Sequence, residues 1–387
     1  MKKNATPKID YTLILIVILL AIVSIFTLYT LEATLEGSYY LKQLTWYIIG
    51  SVAIGLIMLF DYDRLRQVAW ILYGFGIVML LMLFFHFPPG IANKAGGAWA
   101  WFQFGPISLQ PAEFMKVFLI IALANLIVMH KEKFKTPTTK SDLWLLAKIV
   151  IVAIVPMLFI IKQPDLGGFL VLSSIVFCML LVSGIRWRII LTMLGLAVII
   201  LGTIILLFAK FPETVEQFAE DHDLQYVEDR FTSWLDPKNN RQGTAFQVTQ
   251  NILAIGSGQL SGKGIGEFEV SHVPERQTDF IFSAIGEQFG FIGSSALLVL
   301  FFLLIYRLIH IGLQNKDPFG SYIIAGMTGM FTYQIFQNIG MSIQLLPITG
   351  LPLPFISYGG SSTLTYMIAV GIVLNIHYRT KVYMFDS

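Results

Sequence analysis

The sequence predicts an all-α integral membrane protein, ten transmembrane helices with a large extracytoplasmic loop between helices 7 and 8. Three observations predict it. Hydrophobic residues make up 56% of the 387 residues and charged residues only 13%, which is not the makeup of a soluble domain. Apolar stretches long enough to cross a bilayer, about 20 residues in a helix, recur from end to end. Lysine and arginine gather in alternate connections, as the inside rule for basic residues requires. A net charge of +2 creates no field that would draw nucleic acid, and the single cysteine, Cys178, excludes an intrachain disulfide.

Lys2, Lys3 and Lys8 precede a first apolar run, Tyr11 to Leu31. No small-residue cleavage site follows, so the run is read as a retained helix. The second and third spans run from Gln43 to Phe60 and from Gln67 to Asn93. The fourth, Val117 to His130, is short unless Pro111 to Lys116 belongs to it, which sets Glu113 and Lys116 in its first turns. Lys148 to Ile185 is broken only by Lys162 and Asp165 around the turn Gln163 to Gly167, and reads as two helices. The seventh span is Ile189 to Ala209. From Lys210 to Asp279 charge rises, and Gly256, Gly258, Gly262, Gly264 and Gly266 crowd together, the composition of a flexible functional loop. Gln288 to Tyr306 is the eighth span. No charged residue lies between Asp317 and Arg379, which leaves room for two more helices and an apolar connector.

With this count both termini share a side. Arg64 and Arg66, Lys131 to Lys140, Arg186 and Arg188, Lys316, Arg379 and Lys381 all fall with Lys2 and Lys3, and that side is cytoplasmic. The outer side receives the loop of Trp99 and Trp101, the Gln163 to Gly167 turn, the 210–279 loop and the connector Leu346 to Gly360. No internal repeat or Walker-type phosphate loop points to a transporter, and residues 1–387 read as a single polytopic domain.

The external segments hold the residues that can carry chemistry. Asp279 sits where the long loop re-enters the membrane and heads a helix that runs Phe280-Ile281-Phe282; it reads equally as a helix cap or as a base. Glu113 and Lys116 share a helix face, either as an interfacial salt bridge or as a paired inward site. Trp101 is a belt anchor or a platform for a ring. Lys263, Arg276, Arg230 and Arg241 are external cations that meet lipid headgroups or phosphate. Glu220, Asp221, His222 and Asp223 lack metal-ligand spacing and read as a solvated acidic face. Pro347, Pro352 and Pro354 make irregular backbone at membrane depth, which survives only where protein buries it or water reaches it.

Five blocks, in order, resemble one family. They are WFQFGPISLQPAEFMK (Trp101 to Lys116), QPDLG (Gln163 to Gly167), AIGSGQLSGKGIG (Ala254 to Gly266), VPERQTDFIFSAIGEQFG (Val273 to Gly290) and PITGLPLPFISYGGSS (Pro347 to Ser362). Together they are similar to the SEDS proteins of the RodA and FtsW type, and the PERQTDF and QLLPITGLPLPF wordings and the tail near Arg379 are closer to elongation-type members. Ala100, Ala112 and Gln288 depart from residues common in that family, an Arg, a Ser and a Glu.

The resemblance implies a peptidoglycan glycosyltransferase that polymerises lipid II by inverting transfer to an acceptor sugar hydroxyl, for cell elongation and shape. It implies Asp279 as the catalytic base. It also implies that Lys116 approaches Asp279, with Glu113, Trp101, Glu275, Gln277, Arg276, Lys263, Ser357, Gly359, Gly360 and Ser361 around the substrate. A class B penicillin-binding transpeptidase is the implied protein partner, lipid II and the nascent glycan strand the implied ligands. A divalent cation, Mg or Mn, is compatible with the pyrophosphate but not required. Ten helices and a lipid-linked substrate also suit a lipid II flippase or a non-catalytic scaffold. Polar groups gathered near the outer surface rather than the bilayer midplane favour the enzyme.

Overall fold

In a computed structural model the chain is helical with one small sheet, and residues 9–32, 37–95, 98–105, 107–221, 225–235, 243–270 and 273–383 are described. Lys2, Lys3, Lys8, His222, Asp223 and Arg241, singled out in the sequence, lie outside them.

The first apolar runs become α1 (Tyr11–Leu31), α2 (Tyr39–Leu59) and α3 (Asp63–Phe84). Asp10 caps α1 by accepting from the Leu13 N–H at 3.0 Å, and pairs with Arg307 at 2.7 Å. Helix α3 ends well short of Asn93, because Pro88 and Pro89 follow and cannot continue it. Beyond them, the loop expected at Trp99 and Trp101 is instead an antiparallel sheet of β1 (Ala92–Ala95), β2 (Ala98–Phe104) and β3 (Ile107–Leu109), in that order. The period-two pattern of β2 explains it: Ala100 and Phe102 are buried, and Trp99 and Trp101 take the other face.

Helix α4 (Pro111–Lys133) opens on proline, which loses no helix hydrogen bond at that position. It is buried over most of its apolar length, so it is the central post of the bundle. The Gln163 turn separates α5 (Thr139–Lys162) from α6 (Leu166–Val182), which Asp165 caps through the Gly168 N–H at 2.7 Å. Helix α7 (Trp187–Lys210) buries almost none of its apolar length, as suits a helix whose solvent is lipid.

Among its described residues, the stretch expected as a flexible loop holds three helices, α8 (Pro212–Asp221), α9 (Gln225–Leu235) and α10 (Thr244–Ser257). Trp234 of α9 donates to Gln344 O at 3.1 Å and Asn251 of α10 donates to Ser342 O, so both helices rest on the end of α12 (Pro318–Ser342). Helix α11 (Ile281–Gln314) begins well before the expected Gln288, because Glu287, which ends the charge-free run, is buried against Arg276. Gly290 breaks α11 with φ 61° and ψ −156°. Helix α13 (Gly360–Tyr383) follows the irregular connector and packs along α2 and α4. Seven helices among the described residues are long and apolar enough to cross a membrane, which makes the chain a multi-pass membrane protein.

Candidate active site

The head of α11 and the connector before α13 are laced together through backbone atoms. Ser357 donates to Thr278 O at 2.6 Å, and Tyr358 N–H to Gln277 O at 2.9 Å. Asn338, buried in α12, donates to both Asp279 O at 2.8 Å and Leu351 O at 2.7 Å. Glu275 holds the turn from within, its carbonyl accepting from the Thr278 and Phe280 N–H groups at 3.2 Å each. Its φ of 53° is a conformation non-glycine residues rarely adopt and one that clusters at functional sites. Asp279 is thus fixed at the main chain, and its carboxylate is left for other work. The cap position of α11 is Phe280, without a side-chain hydrogen bond, and no partner bonds the Asp279 carboxylate among the described residues.

That carboxylate borders a cavity of about 580 Å³. Trp101 and Ala100 reach it from β2, Glu113 from α4, Gln163 and Asp165 from the α5–α6 turn, and Arg230 from α9. Gly359, Gly360, Ser361 and Ser362 close it with the N-terminus of α13. A β-carbon placed on Gly350 would lie 3.4 Å from Asp279 Oδ2 and 3.8 Å from Arg230 Nη2, so carboxylate and guanidinium flank the bare Cα. Arg230 is tethered there by donating to Ile348 O at 3.4 Å. Burial pushes the Asp279 carboxyl up to about 7; the charges of Glu275 and Asp165 add to the rise, and Arg230 opposes it.

The other expected site residues divide. Lys116 does not border the cavity; its ammonium donates to Glu113 Oε1 at 2.6 Å, with both residues buried, so the cation acting on Asp279 is Arg230 instead. Glu113 Oε2 is buried without a hydrogen-bond partner among the described residues, while the residue borders the cavity. Arg276 and Lys263 point elsewhere, Arg276 into a buried pair with Glu287 and Lys263 into a surface pair with Glu269. Glu275 borders the cavity, whereas Gln277 turns its amide to Glu275 Oε2 at 3.4 Å. Ser357 braces the backbone, and the Ser361 hydroxyl accepts from Gln110 N–H at 2.9 Å, tying α13 to the entrance of α4. Trp46 is a wall residue the sequence reading did not pick; it packs on Gly360, and no motif marks it.

In chemical terms the site offers one carboxylate poised to take a proton near neutral pH, a guanidinium beside it for an anion, and aromatic and polar walls for a sugar. The cell cycle protein family FtsW/RodA/SpoVE matches residues 8–382. A probable peptidoglycan glycosyltransferase FtsW of Geobacter metallireducens is 35% identical over 350 residues, 89% of this chain and 87% of the relative. Stage V sporulation protein E of Bacillus subtilis is 32% identical over 383 residues, covering 97% of this chain and 98% of that one. Among solved structures, a peptidoglycan synthase complex described as coordinating polymerization and crosslinking aligns with a TM-score of 0.77 at 25% identity, over 98% of this chain and 99% of that one. The rod shape determining protein RodA of Thermus thermophilus aligns with a TM-score of 0.67 at 26% identity, over 97% and 98%. These curated relatives carry FtsW and sporulation names, and the RodA structure stands beside the elongation-type wording of the motifs.

Proposed function

The chain belongs to the FtsW/RodA/SpoVE family of cell cycle proteins, and on that premise we propose that it is a peptidoglycan glycosyltransferase of the cell membrane that polymerises lipid II into glycan strands. The observation that carries the reading is Asp279, a carboxylate with no hydrogen-bond partner among the described residues, raised to about 7, in a cavity shared with Arg230. A base is most effective when its pKa lies near the working pH.

The proposed reaction is a single displacement at the donor's anomeric carbon. The acceptor hydroxyl oxygen bonds to that carbon as its proton passes to Asp279, and the bond to the pyrophosphate oxygen breaks. The leaving group keeps the electron pair. An α-linked phosphate becomes a β-linked glycoside, so one carboxylate suffices and no covalent sugar intermediate forms. Arg230 faces the developing negative charge, and the N-terminus of α13 turns its positive end to the same cavity. Trp101 and Trp46 are assigned to the sugar rings, Glu275 and Glu113 to their hydroxyl or amide groups.

Among the described residues no group of three or more His, Cys, Asp or Glu is placed to hold a metal ion. A divalent cation, Mg or Mn, is assigned to the substrate's pyrophosphate, and no step runs through it.

The seven long apolar helices together with α6, α12 and α13 are assigned as ten spans, with residues 210–279 external and both termini cytoplasmic. The distribution of lysine and arginine supports that orientation. A class B penicillin-binding transpeptidase is the proposed partner, in keeping with the relative described as coordinating polymerization and crosslinking. A role in elongation and shape rests on motif wording and the RodA fold match.

The test is to incubate purified protein and partner with lipid II in detergent, where no bilayer exists to flip across. Glycan strands are expected; absence of product with a correctly bound partner would turn the reading to a flippase or a scaffold.

A further inference from the structure

The glycine-rich segment before Asp279 looks in sequence like a flexible loop, and Arg276 like a phosphate ligand. Their contacts give both a different task. The break of α11 at Gly290 removes helical partners from the peptide groups around it, and such groups are costly near lipid. Residues 259–264 supply replacements. Lys263 and Gly264 N–H donate to the carbonyls of Glu287 and Gln288 at 2.9 and 3.2 Å, while Phe291 and Ile292 N–H donate to those of Gln259 and Leu260 at 2.9 and 3.2 Å. Backbone meets backbone, and only glycine admits it. A β-carbon on Gly258 would lie 2.0 Å from Gly286 O, and one on Gly262 would lie 2.0 Å from Gln288 O.

Side chains complete the clamp. Glu287 Oε1 accepts from the Glu269 and Val270 N–H groups at 2.6 and 2.9 Å, and its other oxygen pairs with Arg276. Arg276 also donates to Val270 O at 3.2 Å and stacks on Phe268 at 4.3 Å. The two charged side chains are 3% and 0% exposed. Arg276 lies one turn of chain before Asp279, and beyond Asp279 the backbone continues directly into the clamped half of α11.

We infer that residues 259–270 and the Arg276–Glu287 pair form a rigid splint across the break in α11, and that Arg276 and Glu287 are positioning residues for Asp279 rather than ligands of the donor. The splint holds the chain beside Asp279 through Arg276 and Glu287, and Asn338 and Ser357 hold it through the carbonyls of Asp279 and Thr278. An apolar pair of the same size would confer comparable or greater stability, so what the ion pair adds is a fixed geometry. The inference rests on Asp279 as the base.

The experiment compares Arg276→Met/Glu287→Gln with wild type and Asp279→Asn, all bound to the partner, and measures kcat and KM for lipid II on the folded fraction. The double variant leaves no buried unpaired charge and keeps an acceptor for the Glu269 and Val270 N–H groups. Its kcat is expected to fall on the order of 100-fold, the cost of misplacing a reacting group by about an ångström, with KM changed by less than about twofold. Arg276→Lys, which keeps the charge without the fork, is expected between the two. Phe268→Leu removes only the stacking ring and is expected to lower kcat by about two- to fivefold; it decides the matter if the double variant does not fold. A raised KM with unchanged kcat would make Arg276 a donor ligand and overturn the inference, as would wild-type constants in either variant beside an inactive Asp279→Asn. Activity in Asp279→Asn would instead remove the base on which the inference stands.

Discussion

Asp279 and Arg230 face each other across Gly350, with a β-carbon at that glycine 3.4 Å from the carboxylate and 3.8 Å from the guanidinium. No direct ion pair joins them among the described residues. One comes from the head of α11 and the other from α9, and the space between them is where a hydroxyl and an anionic leaving group would meet.

The pH dependence of turnover follows from the groups around Asp279. Only the ionised carboxylate accepts a proton, so kcat is expected to rise with pH through about 7. Glu275 and Asp165 raise that midpoint and Arg230 lowers it, so Glu275→Gln should move it down and Arg230→Met up. Stability runs the other way. The folded value lies above the 3.8 of an ordinary aspartate, so the folded state holds the extra proton; this contribution is complete below 3.8 and is lost as pH rises through about 7. Rate profiles of the two variants that shift in the same direction would contradict the assignment.

Gly350→Ala is expected to fill the slot between base and cation. The residue also sits at φ 68°, which an alanine tolerates poorly. Turnover should drop on the order of 100-fold, the penalty of displacing a reacting group by about an ångström, while partner binding stays intact. Steady-state polymerisation together with a pull-down of the partner checks both halves.

The buried pair of Glu113 and Lys116, 2.6 Å apart, sets a stability test. Lys116→Met strands a buried carboxylate and is expected to cost about 3–5 kcal/mol, whereas Glu113→Gln/Lys116→Met should recover most of it. Thermal unfolding in detergent reads the difference. Equal melting temperatures for the single and double variants would mean that the pair is solvated.

How much of this was legible in the sequence depended on what each signal reports. Apolar length placed α1 to the residue and found the α5–α6 turn at Gln163, because lipid demands long uncharged helices. The same signal sets the eighth span at Gln288, since a charge-free search cannot see that Glu287 is neutralised by a buried Arg276, whereas Asp279 at the head of Phe280-Ile281-Phe282 locates the start of α11. Clustered glycines read as flexibility, although Gly258 and Gly262 serve close backbone approach. Motif resemblance gathered Asp279, Glu113, Trp101, Glu275, Gly359, Gly360 and Ser361, which do share one cavity. It ranked Arg276 and Lys263 above Arg230 because the position of a cation depends on tertiary docking. Trp234 on Gln344 seats α9, and nothing local in the sequence records that contact.

The most direct measurement is glycan polymerisation from lipid II by partner-bound protein, comparing wild type with Asp279→Asn, an isosteric change that removes only the base. A loss of 100-fold or more, within the roughly 10²–10⁴-fold range of general-base catalysis, is expected with donor and partner binding unchanged. Polymerisation at the wild-type rate would contradict Asp279 as the base and the active site built around it.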